Sequence, residues 1–238
     1  MISDNNYVEY QDRCYYIIAE NDKVFKPEKY GFSNLYKTVE YYDEYFIVFY
    51  IKNNELRVRR LSINSHANKM PMFLGIFPET NYKYDINELE SAEFKYVYPC
   101  AYYSPDNKFD YTGTILLGIN KFSKYIYDGY TPFCYHNDLV CLTFKHGNVV
   151  KTVSYNDIGE KVRALLNAEV EKEEHKYITL SQKERKEIMR TWELKFFQRK
   201  NVENLIKKNL PEEYATMMWW YKQDNKFIKE DKNDSANF

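Results

Sequence analysis

The hydrophobic period changes once along this chain, near Asn156, and that change limits the fold more than any other feature. Before it, short apolar and β-branched runs alternate with turn formers, the pattern of strands joined by tight turns. Tyr45 to Ile51 is turned by Lys52-Asn53-Asn54-Glu55 and returns as Leu56 to Ile63. Leu139 to Phe144 is turned by Lys145-His146-Gly147-Asn148 and returns as Val149 to Val153. Cys14 to Ala19, followed by Glu20-Asn21-Asp22-Lys23 and Val24-Phe25, predicts a third hairpin. Tyr96 to Tyr103 runs into Ser104-Pro105-Asp106-Asn107, where proline presets the second turn position. Connections this short make antiparallel pairs, because a parallel crossover needs about a dozen residues or more. Gly113 and Gly118 read as turn glycines bracketing a strand from Thr114 to Leu117. The hairpin from Tyr50 to Val58 is echoed by that from Thr143 to Lys151, and an internal duplication or a shared hairpin pattern would each produce the echo.

After Asn156 the spacing becomes helical. Val162, Leu165, Leu166 and Val170 share one face of a helix expected from Asp157 to about His175. Ser181-Gln182-Lys183-Glu184 is a capping box, in which a serine and a glutamate three residues apart satisfy each other's backbone N–H, and it predicts a helix reaching about Arg199. Asn201 caps a short continuation to Lys208, and Pro211 suits the first turn of a last helix ending near Lys222. The fold class predicted is therefore α+β: an antiparallel, meander-like β-sheet body followed by a helical C-terminal third. Residues 1–156 form the β-rich body, 157–223 a helical segment packed on it, and 224–238 a charged, flexible tail. No Pro/Gly/Ser linker marks the junction, so the two parts are expected to depend on each other.

Composition narrows the setting. A chain of 238 residues with 44% hydrophobic residues buries roughly 70% of its unfolded surface by size scaling and needs no disulfide or metal staple. The 25 tyrosines and 15 phenylalanines, against seven glycines and seven prolines, match the AT-rich codons of a bacterial or phage genome better than selection for an aromatic surface. Charges cancel to −1, which gives no support to bulk nucleic-acid or membrane binding. The first ten residues lack the basic start and apolar stretch of a secretory signal, and no run is long enough for a membrane span. The chain is therefore expected to be cytoplasmic, with its four cysteines (Cys14, Cys100, Cys134, Cys141) reduced and mostly buried.

Three constellations could carry chemistry. Pro78-Glu79 followed by Glu93-Phe94-Lys95 loosely resembles the metal-dependent nuclease core written PD-(D/E)xK, whose carboxylates hold Mg²⁺ while the lysine steadies the attacked phosphate. Its first position is Glu instead of Asp, so the set is kept as an alternative. Cys134, His136, Cys141 and His146 are zinc-ligand types without the paired spacing of a structural site, and neither metal nor cofactor is expected. Ser181 to Lys208 carries nine basic and four acidic residues with Trp192, Phe196 and Phe197 interleaved. Lys183, Lys186 and Arg190 are its candidate phosphate contacts, although Ile188, Trp192 and Phe196 fall on one stripe and read as core.

The last helix is the better clue. Tyr214, Met217, Met218 and Tyr221 supply a docking stripe, while Trp219 and Trp220 point to either side of it. Two tryptophans on one helix suit a partner contact, since Trp anchors interfaces. The expected function is non-enzymatic protein binding, of inhibitor, immunity or accessory type, with another protein or a second copy of the chain as partner. Nucleic-acid binding or a nuclease-like activity is the alternative.

Overall fold

A computed structural model describes residues 6–36, 44–65, 69–80, 100–103, 107–121 and 135–220. Among these residues nine strands come first: β1 (Tyr7–Tyr10), β2 (Arg13–Glu20), β3 (Tyr45–Lys52), β4 (Glu55–Ile63), β5 (Glu79–Thr80), β6 (Cys100–Tyr103), β7 (Gly113–Lys121), β8 (His136–Lys145) and β9 (Asn148–Ser154). Four helices follow: α1 (Asn156–His175), α2 (Gln182–Phe196), α3 (Arg199–Asn209) and α4 (211–220). The fold is α+β, and the starts of α1, α2 and α4 follow the sequence signals closely, whereas α3 begins at Arg199 with Gln198 as its N-cap, ahead of the expected Asn201 cap. At α2 the capping box forms, with Glu184 N–H on the Ser181 hydroxyl and the Glu184 carboxylate accepting from Ser181 N–H at 3.2 Å.

Strand order is β3-β1-β2-β7-β8-β9-β4-β6-β5, and a further pairing of β3 with β4 closes the first seven strands into a mixed barrel. The expected antiparallel meander is replaced in two respects. β1 runs parallel to β3, with Tyr7 opposite Val48 and Glu9 opposite Tyr50. β2, moreover, lies beside β1 and β7 and makes no hairpin with Val24-Phe25. The residues after Glu20 instead form a tight corner: the Glu20 carboxylate accepts from Val24 N–H at 2.9 Å, and Phe25 is buried.

Three two-residue turns hold the hairpins. Gln11-Asp12, Asn53-Asn54 and His146-Gly147 all have positive φ at both positions, the geometry whose twist matches antiparallel strands. The last two were legible from their Asn and Gly residues; Gln11-Asp12, which contains neither, was not. The two echoing hairpins are joined at their turns, where Leu56 N–H donates to Gly147 O and Val149 N–H to Asn54 O, each at 2.8 Å. Gly147 has φ +73°, and an added Cβ would lie 2.3 Å from the Phe109 carbonyl oxygen, so no other residue fits.

The chain divides into two compact units, one of residues 116–141 with 153–238, the other of residues 2–115 with 142–152. The β-rich unit is centred on Phe25, Phe49, Phe73, Tyr102 and Phe109, all buried. Phe73 meets Phe25 and Tyr102 edge-on, and Phe49 meets Phe109 likewise at 5.2 Å, so much of the aromatic content is core. Buried phenols are capped by backbone: Tyr102 donates to Pro71 O at 2.7 Å and Tyr111 to Asp22 O at 2.9 Å. The helical unit buries Val162, Leu166 and Val170 of α1, Met189 of α2, Val202 and Ile206 of α3, and Met217 and Trp220 of α4. Within it, Gly118 lies inside β7 and does not end a turn. A Cβ there would sit 2.6 Å from Cγ of the buried His136 ring, which accounts for a glycine in mid-strand. No helix among the described residues is long and apolar enough to cross a membrane.

Candidate functional site

On α4 the buried face is Met217 and Trp220, rotated from the expected stripe; Tyr214 and Met218 are only half-buried. The two indoles consequently part company. Trp220 is 2% exposed and Trp219 45% exposed, and their rings meet at 90° with centroids 4.7 Å apart. Ala215 and Thr216, one turn earlier on the same helix, are too small to cover the Trp219 ring. Trp220 Nε1 is buried without a hydrogen bond of good geometry. Nearby, burial and then the Cys141 thiol push the Tyr155 phenol up. The helix is pinned to α1 by Lys161 Nζ on Glu213 Oε1 at 2.6 Å, which holds the Glu213 carboxyl below its ordinary range.

α2 buries only Met189. Ile188, Trp192 and Phe196, expected as core, are half-buried, and Trp192 stacks on Phe196 at 4.4 Å. Beside them lies an open groove of about 340 Å³ lined by Glu187, Ile188, Thr191, Trp192 and Lys195. Lys183, Lys186 and Arg190 are all exposed, and at 100° per residue they share one face with the exposed Leu194.

Of the nuclease-like set, Glu79 is exposed on β5, opposite Ala101, while Glu93 and Lys95 lie outside the described residues. Cys134, Tyr221 and the tail 224–238 lie outside them too. Of the other zinc-ligand types, His136 and Cys141 are buried on β8, and His146 is exposed in its turn, 3.4 Å from Asp110. Among the described residues no group of three or more His, Cys, Asp or Glu is placed to hold a metal. Cys14, expected with the buried thiols, is exposed.

Sequence reasoning missed a cleft altogether. It opens in the β-rich unit between the Gln11-Asp12 and Asn53-Asn54 turns, has a volume of about 700 Å³, and is lined by residues that include Glu9, Tyr10, Asp12, Cys14, Tyr50 and Arg59. Its organising feature is a β-bulge. Val48 pairs with Arg60 and Phe49 with Val58, so Arg59 has no partner on β3 and turns outward. Its Nε and Nη2 both donate to Glu9 Oε2, at 2.9 and 2.6 Å, and its guanidinium carbon sits 4.8 Å from the Tyr50 ring centroid. Cys14 stands opposite Glu9 in the β1–β2 register. Desolvation and then the Glu9 carboxylate push its thiol up, which is the reverse of an activated nucleophile. No local sequence signal marks the bulge or singles out Arg59.

Compared with models of known protein families, with curated proteins and with solved structures, the chain matches none.

Proposed function

We propose that this chain is a non-enzymatic protein-binding protein, of inhibitor, immunity or accessory type, whose contact is centred on Trp219. The observation that carries the reading is the exposure of that indole beside a buried one. Burying an exposed tryptophan on association removes a large apolar surface from water at little cost in side-chain entropy. Trp220 then serves as the floor that fixes the Trp219 ring, and the Lys161–Glu213 pair fixes the helix. The partner is another protein, with a second copy of the chain as the simplest candidate. Sedimentation mass and affinity capture should be compared for wild type and Trp219→Ala, followed by titration of any captured protein after purification. Loss of a dimer, or a loss of affinity of about tenfold or more for the purified partner, supports the reading. A folded Trp219→Ala protein with unchanged mass and unchanged partners defeats it.

The exposed cationic face of α2 favours one alternative, nucleic-acid contact in which Lys183, Lys186 and Arg190 meet phosphates. Phosphate contacts release counterions, so binding of this kind weakens steeply with salt. Gel shifts with single- and double-stranded DNA and RNA at physiological salt separate the two readings. Sub-micromolar binding lost on charge removal at all three positions would put the alternative first.

A further inference from the structure

A guanidinium has five N–H donors in a fixed fork. In Arg59 one on Nε and one on Nη2 are taken by Glu9, which leaves the outer edge, Nη1 with the second Nη2 hydrogen, uncommitted. That edge matches the two oxygens of a carboxylate. It is also held in place by three independent constraints: the bulge that turns Arg59 outward, the Glu9 pair, and the Tyr50 ring beneath. The same cleft contains the exposed carboxylate of Asp12, which makes no ion pair among the described residues. Asp12 projects from a two-residue turn with φ +59°, a tight and well-defined platform.

We infer that this cleft binds a short, peptide-like zwitterion, its carboxylate on the outer edge of Arg59 and its ammonium group toward Asp12. Charge selects the class. The lining acids Glu9 and Asp12 oppose the second negative charge of a phosphate, while Arg13 and Arg59 oppose a simple cation. Size selects the length, since about 700 Å³ lies in the range of small-molecule clefts and exceeds what a free amino acid fills. The site is separate from Trp219, and its failure would leave the protein-binding proposal untouched.

The probe is triglycine, whose two charged ends sit on a backbone without side chains. Titration into ¹⁵N-labelled full-length protein should give saturable shifts of the Gln11 to Cys14 and Asn53–Asn54 amides. C-amidated triglycine removes the carboxylate and N-acetylated triglycine the ammonium; each should bind about tenfold more weakly. Arg59→Lys keeps the charge but loses the fork, and it should weaken triglycine by a similar factor. Asp12→Asn keeps a residue that tolerates the left-handed turn while removing the charge, so a folded control is available at the second contact. Unchanged amide shifts away from the cleft verify that both variants fold. Absence of saturable shifts, or affinity unchanged in Arg59→Lys, overturns the inference. If N-acetylated triglycine binds as tightly as triglycine, the cleft is a plain carboxylate site and the zwitterion assignment is wrong.

Discussion

Trp219 and Trp220 are adjacent in sequence and perpendicular in space, the exposed ring of one standing edge-on to the buried ring of the other at 4.7 Å. Truncating them should therefore have unequal effects on folding. Trp220→Ala removes a buried indole and should cost about 3–5 kcal/mol. Trp219→Ala loses only the aromatic pair and some half-covered surface, about 0.5–1.5 kcal/mol. Denaturant midpoints of the two variants check this. Equal losses would mean that Trp219 is held as firmly as its neighbour and is not a presented contact.

Gly118 and His136 form a second dependent pair. Because a Cβ at Gly118 would press into the His136 ring at 2.6 Å, Gly118→Ala should destabilise by about 1–3 kcal/mol, the usual cost of overpacking. In a His136→Ala background the same substitution should cost much less, as the space it needs is then present. A double-mutant cycle reads the coupling directly. Arg163 donates to the backbone oxygen of His136 at 2.6 Å, so that contact survives the histidine substitution and does not confuse the cycle.

Asn156 joins the start of α1 to β8. Its Oδ1 accepts from Leu139 N–H at 2.6 Å and its Nδ2 donates to Asp138 Oδ1 at 3.1 Å. Asn156→Ala leaves the Leu139 N–H without its acceptor and takes one donor from Asp138, and should cost about 1–3 kcal/mol. Asn156→Asp should be no better, because it keeps the acceptor but sets a carboxylate against Asp138 where a donor stood. An aspartate variant as stable as wild type would show that the Asp138 contact is not formed in solution.

How far these features could be read in the sequence depends on their range. The helices were legible because their determinants are local: the Ser181–Glu184 box, Pro211 at a helix start and the Val162, Leu166, Val170 spacing all act within a few turns. The Asn53-Asn54 and His146-Gly147 turns were legible for the same reason. Strand neighbours were not. The parallel β1–β3 pair is set by contacts about forty residues apart in sequence, such as Tyr7 with Val48, and no local pattern encodes that partner. The α4 stripe was placed one face away because hydropathy ranked Tyr214 and Met218 as core without knowing of the Lys161–Glu213 pair, which ties the face shared by Glu213, Met217 and Trp220 to α1. The cleft was invisible because a bulge is a mismatch between two strands, Val48 to Arg60 and Phe49 to Val58, and belongs to neither alone.

Removing residues 157–238 should produce an aggregating fragment. Residues 116–141 belong to the same compact unit as the helices, and β8 contributes Leu139, Cys141 and His136 to its buried interior. The helical part also supplies Arg163, which satisfies the His136 carbonyl. Without it, apolar strand surface meets water, and exposed patches of this kind drive association. Light scattering and a thermal melt of the 1–156 fragment provide the measurement. A monomeric fragment with a cooperative melt would show that the β-rich body folds alone.

Alkaline pH should weaken the fold through Cys100. Its thiol is buried on β6, and desolvation raises its pKa from the ordinary 9.0 to about 11, against a hydrogen bond with Tyr102 that lowers it slightly. Between those two values the unfolded chain has lost a proton that the folded chain retains. The native state then binds more protons, so stability falls as pH rises, and the contribution is complete only below the unfolded value. Tyr102 is shifted up by burial and by the neighbouring thiol, which extends the same trend to higher pH. At about 1.4 kcal/mol per unit, the Cys100 contribution amounts to about 2 kcal/mol across the window. Cys100→Ala should be less stable than wild type at neutral pH, because a small cavity remains, yet the gap between them should narrow by about that amount from pH 9 to 11. Urea midpoints of both proteins across that range decide the matter. A gap that stays constant with pH would mean that the Cys100 thiol ionises as readily in the folded protein as in the unfolded chain.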